Sequence, residues 1–324
     1  MIVPSFPTRS LLIAALLARV IEVSKASTSA TPGYDDRTAD QGIVRCGVEN
    51  IPVLELMKIE GEFQNQRVVT DESPGSLSPI TVDMYIHVIS ANGTTSGGNV
   101  SDSQIVQQMT VLNADYQTMN IDFKLVNVTR TVNQDWFGVK PDSTQQTEMK
   151  QRLRQGGPGD LNVYLSRLEP PGLLGYSTFP KDVGNLEEDG VVILHSSLPG
   201  GTTEPYNEGR TLTHEVGHWL GLYHTFQGGC TDPGDMVDDT PSEAKPGYGC
   251  PEGRKSCPLS IGIDLIHNFM DYGEDGCLNS FTPGQTVRVR QQISHFRRLA
   301  AKQGSQNSGK HHRGRRWGQR RDVY

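Results

Sequence analysis

The 324-residue chain has no apolar stretch long enough to cross a bilayer, no closely spaced CxxC pair, no internal repeat and no excess of positive charge. Each absence removes a class of function. A membrane-spanning helix needs about 20 consecutive apolar residues, and the run Leu11 to Ala18 is far shorter. Without CxxC spacing the cysteines do not read as a structural zinc site. A net charge of −7 gives no case for a nucleic-acid partner. What is present is ordinary for a globular protein: 35% apolar residues with 35 glycines besides. The length suits one domain of about 200–250 residues plus extra segments.

The N-terminus reads as a secretory signal over residues 1–26. Arg9 precedes the apolar run and small residues follow around Ala26 to Ala30, while Arg19 and Glu22 blur the cleavage point. The alternative is a plain N-terminal tail. Three sequons agree with secretion: Asn92-Gly-Thr, Asn99-Val-Ser and Asn127-Val-Thr, each a weak signal alone. Of the five cysteines, Cys230, Cys250, Cys257 and Cys277 cluster and allow three pairings, among which spacing does not choose.

The most informative stretch is His214-Glu215-Val-Gly-His218-Trp-Leu-Gly221-Leu-Tyr-His224. Two histidines four apart project from one face of a helix and can hold one zinc at about 2.0–2.1 Å. Glu215 between them is placed to take a proton from a water in the open position. Gly221 can adopt the left-handed conformation that ends a helix, after which the chain returns to offer His224 as third ligand. Three protein ligands leave a place for water, the mark of a catalytic rather than a structural zinc. The five fixed positions of HExxHxxGxxH arise by accident in about one chain in 10⁵. The bland alternative, a His-rich surface helix, fits poorly with Val216, Leu220 and Leu222.

This pattern is that of the metzincin metalloproteases, which asks for a methionine turn downstream. Met270, in Ile266-His-Asn-Phe-Met270-Asp-Tyr272, supplies it, against the alternative of an ordinary core methionine. By analogy with some metzincins, Tyr272 is a candidate to stabilise the transition state. More narrowly, HEVGHWLGLYHTFQGGC, GDMVDDTP, SCP, DLIHNFMDY and SFTPGQ resemble the pappalysin family, in particular secreted fungal extracellular metalloproteases. The resemblance covers residues 80 to 300 and is densest from Leu173 to Arg290. It implies an α+β metzincin fold of two subdomains, with a mixed twisted sheet above a loop-rich half and the cleft between. It also implies the disulfides Cys230–Cys257 and Cys250–Cys277.

Cys46, in Arg45-Cys46-Gly47, is left over by that pairing. A thiolate is a good zinc ligand, and at the fourth position it would displace the catalytic water. Cys46 is therefore a candidate zymogen switch, with a surplus thiol in the prosegment as the alternative. The acids Asp232, Asp235, Asp238 and Asp239 in a glycine-containing loop are candidate calcium ligands, or a solvated turn with local capping bonds. His195 reads as a strand-end residue and His267 as structural.

The expected organisation is a signal at 1–26, a propeptide and linker at 27–75 without sustained periodicity, a catalytic domain at 76–301 and a basic tail at 302–324. Within the domain, strands are expected at Ile80–Ile89, Ile121–Val132, Leu161–Leu165 and Gly190–His195. Helices are expected at Ser101–Asn120, Gln145–Arg154 and from Thr282 to about Ala301, the last burying Val287, Ile293 and Leu299. Leu173–Phe179 is a strand or edge segment near the cleft, and either it or Gly190–His195 is the candidate edge for binding an extended peptide. The reading is a secreted, monomeric zinc endopeptidase acting on proteins or peptides. The alternatives are a zinc-binding pseudoprotease or binding module, and an added adhesive role for the tail, whose Arg and Lys would make binding salt-dependent.

Overall fold

The computed structural model describes residues 42–66 and 77–299, all within the unit that runs from Asp36 onward. The expected signal sequence and basic tail lie outside the described residues. In chain order the elements are helix α1 (Val53–Gln66), strand β1 (Ile80–Ser90), helix α2 (Asp102–Asp115), strand β2 (Ile121–Val132), helix α3 (Thr144–Leu153), strands β3 (Leu161–Ser166), β4 (Gly175–Ser177) and β5 (Val191–Leu194), and helices α4 (Arg210–Trp219) and α5 (Pro283–Phe296).

The five strands form one mixed sheet in the order β2-β1-β3-β5-β4. The first four are parallel and β4 runs antiparallel to β5 at the edge. Parallel neighbours need crossovers that cover both faces, and the apolar pattern follows. Ile80, Val82, Met84, Ile86 and Val88 of β1 turn to one core, shared with α2, α4 and α5. Ile89, Tyr164 and Val192 turn to the other, closed by Met149 of α3. Ser101 caps α2 through a capping box with Gln104, and Thr282 caps α5 through one with Gln285 and Pro283 in the first turn.

Two sequence expectations need correction. Val287 is exposed; α5 turns Arg288, Val289, Arg290 and Ile293 inward instead. Those arginines are buried because each finds oxygen: Arg288 on Glu60 and the Gly221 carbonyl, Arg290 on the Met119 and Ser78 carbonyls. Apolar periodicity alone does not register a buried cation whose partners are distant in sequence. The segment 27–75 was expected to be without period, yet it contains α1. Among the described side chains of that helix, Leu56, Glu60 and Phe63 are the buried ones. They stand at i, i+4 and i+7, a stripe disguised by a charge in its middle.

Below the sheet the character changes. Among the described residues, no helix or multi-residue strand lies between Trp219 and Pro283. Disulfides Cys230–Cys257 and Cys250–Cys277 tie this half together.

Candidate active site

The N-terminus of α4 is held by Asp275, whose Oδ2 accepts from the backbone N–H of Glu208 and Arg210. This satisfies donors that the helix itself leaves open. Farther along, Arg210 and Thr213 bind the Asp115 carboxylate, and the Tyr116 hydroxyl donates to the Thr213 carbonyl. The helix thus has a fixed rotation, with His214, Glu215 and His218 all buried. It ends at Gly221, at φ +101°. There the Gly221 N–H donates to the His218 carbonyl and the Leu222 N–H to the Gly217 carbonyl, and the chain reverses. His224 returns on this reversal to lie 3.0 Å from His218, Nε2 to Nε2.

Three imidazoles therefore meet with their Nε2 atoms together. His214 Nδ1 donates to the Phe269 carbonyl at 2.7 Å and His218 Nδ1 to the Leu222 carbonyl at 2.8 Å. A carbonyl only accepts, so both Nδ1 atoms carry hydrogen and both Nε2 atoms present lone pairs. His224 Nδ1 lies 3.4 Å from Asn50 Oδ1. Burial holds all three pKa values far below the ordinary histidine value, that of His218 at about 4. The rings are thus neutral, the form that binds metal. His214 Nε2 is buried with no hydrogen-bond partner. Converging ring nitrogens, one of them with no donor to accept from, suit a cation of zinc's size and ligand preference, so the residues fit that metal.

Met270 lies beneath. Its sulfur packs against Gly217, where a Cβ would come within 2.3 Å of Sδ. Glycine at this helix position is therefore required for the methionine to approach. Its backbone N–H donates to Asn268 Oδ1, and its carbonyl accepts from the Thr225 N–H. Glu215 faces the sheet edge: a Cβ on Gly175 of β4 would come within 2.8 Å of Glu215 Cγ. Burial pushes the Glu215 carboxyl up to about 8, against the opposing effects of Cys46 and Arg45. The Tyr272 hydroxyl lies 3.3 Å from His224 Nε2 and 3.4 Å from the Cys46 carbonyl oxygen.

Cys46, outside both disulfides, belongs to this centre. Its Sγ and one ring nitrogen from each of His214, His218 and His224 lie within 4.8 Å of one another. The sulfur is 3.5 Å from Glu215 Oε2 and accepts from the Val48 N–H at 3.3 Å. The chain carrying it runs along the sheet edge. Val44 pairs with Leu173 in parallel, the Leu174 N–H donates to the Val44 carbonyl, and the Gly47 N–H donates to the Gly175 carbonyl. Arg45 points into a pocket where its guanidinium meets Asp275 Oδ1 at 3.0 Å and lies over the Tyr206 ring. Both members of that pair are buried.

Other candidates fall elsewhere. Asp239 accepts from Thr282 Oγ1 and the Gly284 N–H at the start of α5, Asp235 accepts from the Val237 N–H and Thr240 Oγ1, and Asp232 and Asp238 are exposed. No three side-chain ligand atoms of this loop come within 4.8 Å of one another among the described residues. His195 follows β5 and stacks on Phe137. His267 donates from Nδ1 to the Cys277 carbonyl. Asn92 and Asn127 are exposed, whereas Asn99 is half-buried, its amide donating to the Gly93 carbonyl.

Sequence reasoning missed Asp275, Arg45's partner, and the whole seat of α1. Asp275 is 230 positions from Arg45. The only available signal was an acid a few residues past the methionine turn.

An edge strand over a metal-binding helix, with a methionine turn below, is the architecture of a metzincin-type metalloendopeptidase. Comparison with known proteins narrows this. The family model described as pregnancy-associated plasma protein-A matches residues 162–294, and the chain belongs to this pappalysin family of peptidases. An extracellular metalloprotease of Pyricularia oryzae is 46% identical over 257 residues, covering 78% of this chain and 89% of that protein. One from Verticillium alfalfae is 45% identical over 269 residues, covering 82% and 94%. Among solved structures, mature mirolysin of Tannerella forsythia in complex with a cleaved peptide superposes with a TM-score of 0.60 at 31% identity, covering 68% of this chain and 95% of its own. A promirolysin mutant does so with a TM-score of 0.63 at 27% identity, covering 78% and 94%.

Proposed function

We propose that the protein is a secreted zinc endopeptidase made as a latent precursor, with residues 42–66 acting as its inhibitory segment. The observation that carries this is the convergence of three neutral imidazoles and the Cys46 sulfur on one point beside a buried glutamate. His214, His218 and His224 would hold zinc, with Cys46 completing the set in the precursor. Zinc bound there supplies Lewis acidity, polarising a carbonyl and making water nucleophilic near neutral pH.

The chain's own groups do the rest. Glu215 takes the proton of the attacking water and returns it to the leaving amine. The Tyr272 hydroxyl donates to the developing oxyanion of the scissile carbonyl. Met270 fixes the floor under α4. The edge at Gly175, which residues 44–47 occupy in the precursor, hydrogen-bonds an extended substrate backbone. Asp275 keeps a buried carboxylate oxygen in the pocket that Arg45 fills, so a substrate with a basic side chain would replace it there.

Relatives named extracellular support secretion, as does the larger share of this chain covered by promirolysin than by mature mirolysin for latency. Exposed Asn92 and Asn127 are the glycan sites of this reading. The 232–239 loop brings no three ligand atoms together among the described residues, so calcium stands there only as the alternative to a solvated turn, with the buried, partnerless Oδ2 of Asp235 in its favour; an EGTA-induced fall in Tm would support it. The pseudoprotease alternative has no missing base or ligand to explain.

Casein cleavage by the matured protein tests the proposal. Glu215→Ala should lower kcat by about 10²–10⁴-fold with zinc still bound, and 1,10-phenanthroline should abolish activity until zinc is restored. A Cys46→Ala precursor as latent as the parent would remove the switch. Asp275→Asn should lower kcat/KM for peptides with arginine at the scissile site by tenfold to a hundredfold, for a charge-assisted hydrogen bond of about 1.5–3 kcal/mol.

A further inference from the structure

The inhibitory segment has two anchors, and only one concerns the metal. The second is the seat of α1. There the Glu60 carboxylate meets Arg288 through two hydrogen bonds, at 2.6 and 3.0 Å, and accepts from the Tyr223 hydroxyl at 2.9 Å. Phe63 stacks on Phe296 and meets His295 edge-on. The opposite side of the helix, with Leu54 85% and Met57 56% exposed, faces solvent. The helix thus meets the catalytic domain through the Glu60 carboxylate and the apolar Ile59 and Phe63 beside it.

On the catalytic side the receiving surface is formed by Tyr223, Arg288, His295 and Phe296. Arg288 is fixed from behind by donating Nε to the Gly221 carbonyl, and its guanidinium lies over the Tyr223 ring. Phe179, Pro180 and Lys181 line the same depression. The surface adjoins the histidine cluster: the Phe179 ring lies 5.2 Å from that of Tyr223 and 5.4 Å from that of His218. Removal of residues 42–66 would leave a preorganised, bidentate cation flanked by aromatic faces, one ring away from a candidate zinc ligand. A sheltered cation without its counter-charge is costly, so the site favours being refilled. Its nearness to the histidine cluster makes substrate the chain that arrives there.

We propose that in the matured enzyme this seat is an exosite: it binds an acidic residue flanked by apolar ones in a protein substrate, outside the residues that flank the bond being cut. The proposal rests on the reading of residues 42–66 as a removable inhibitory segment. Arg288 is the anchor and the Phe179–Tyr223–Phe296 surface takes the apolar neighbours. Short peptides that do not reach the seat are cleaved without its help.

The test uses matured, zinc-loaded enzyme and a fluorescent synthetic peptide of residues 53–66, which lacks Cys46, beside its Glu60→Gln counterpart. The parent peptide should bind, and the counterpart should bind at least tenfold more weakly. The parent should competitively inhibit casein cleavage while leaving kcat/KM for a short fluorogenic peptide unchanged. Substituting the peptide rather than the enzyme leaves the fold of the catalytic domain untouched. Equal binding of both peptides, no binding of either up to millimolar concentration, or equal inhibition of casein and the short substrate would overturn the exosite. So would matured enzyme whose mass still includes residues 53–66. Failure of the enzyme to cleave even the short substrate is a separate result that strikes at the protease reading.

Discussion

Between residues 80 and 194, Val82, Met84, Leu112, Leu161, Val163 and Ile193 are almost completely buried, packed between helices and sheet. Between residues 225 and 282, the buried side chains include Glu243, Asp264 and Asp271, which face the single guanidinium of Arg254. The first region is ordered by apolar area, which a chain segment carries with it. The second is ordered by two disulfides and by charges that find partners only once the chain has turned. That second region carries the methionine turn, Tyr272 and Asp275. The sheet half supplies the edge and carries α4 with His214, Glu215 and His218, and the loop half supplies Met270, Tyr272 and Asp275 around them.

The comparison is broken most severely by removing the cross-links. Each disulfide spans 27 residues, and the loop-entropy relation gives about 3.5 kcal/mol for a loop of that size. The Cys250→Ser/Cys277→Ser double variant should lose about that much stability. Its near-UV circular dichroism and casein cleavage should fall, while the far-UV signal of the sheet half persists at temperatures where activity has gone. Simultaneous loss of both signals would show that the two halves unfold as one unit. An effect of comparable size but the opposite kind is expected from Leu161→Ala in β3. It should cost about 2–5 kcal/mol, shift both signals together, and be indifferent to reductant. Stability measurements belong in the Glu215→Ala background, where self-digestion is absent.

The same division decides what the sequence revealed. The metal-binding pattern was legible because helix geometry makes His214 and His218 neighbours and Gly221 ends the helix nearby, all within eleven residues. Strands β1 and β2 were legible because their apolar residues answer to one another within the sheet. Asp275 was not, since its role depends on Arg45 arriving from the far end of the chain and on the N-terminus of α4 lying beside it. Helix α1 was hidden because the residue at the centre of its buried stripe is Glu60, apolar in neither scale nor habit until Arg288 covers it. Val287 was misplaced for the mirror reason: the buried side of α5 is paved with arginines. Local periodicity finds burial driven by area and misses burial driven by pairing.

The smallest effect separates the halves by pH. Burial, followed by the charge of Asp271, pushes the Glu243 carboxyl above its ordinary value, and burial pushes Asp271 up as well. A carboxyl whose pKa is higher in the fold than in the unfolded chain binds its proton more tightly when folded. Its stabilising contribution is complete below about pH 4 and declines as pH rises through the raised values. The loop half should therefore weaken from mildly acidic toward alkaline pH, whereas the loss caused by Leu161→Ala stays constant over that range. Asp271 Oδ1 accepts from the Gly247 and Tyr272 N–H groups, and Oδ2 is buried without a hydrogen-bond partner. Asp271→Asn keeps the first acceptor and removes the charge. It should raise Tm near pH 8 by about 2–4 °C, the equivalent of about 1 kcal/mol in a domain of this size, and change little near pH 4. A uniform shift of Tm across the whole pH range would mean that Asp271 acts through packing alone and that charge does not distinguish the two halves.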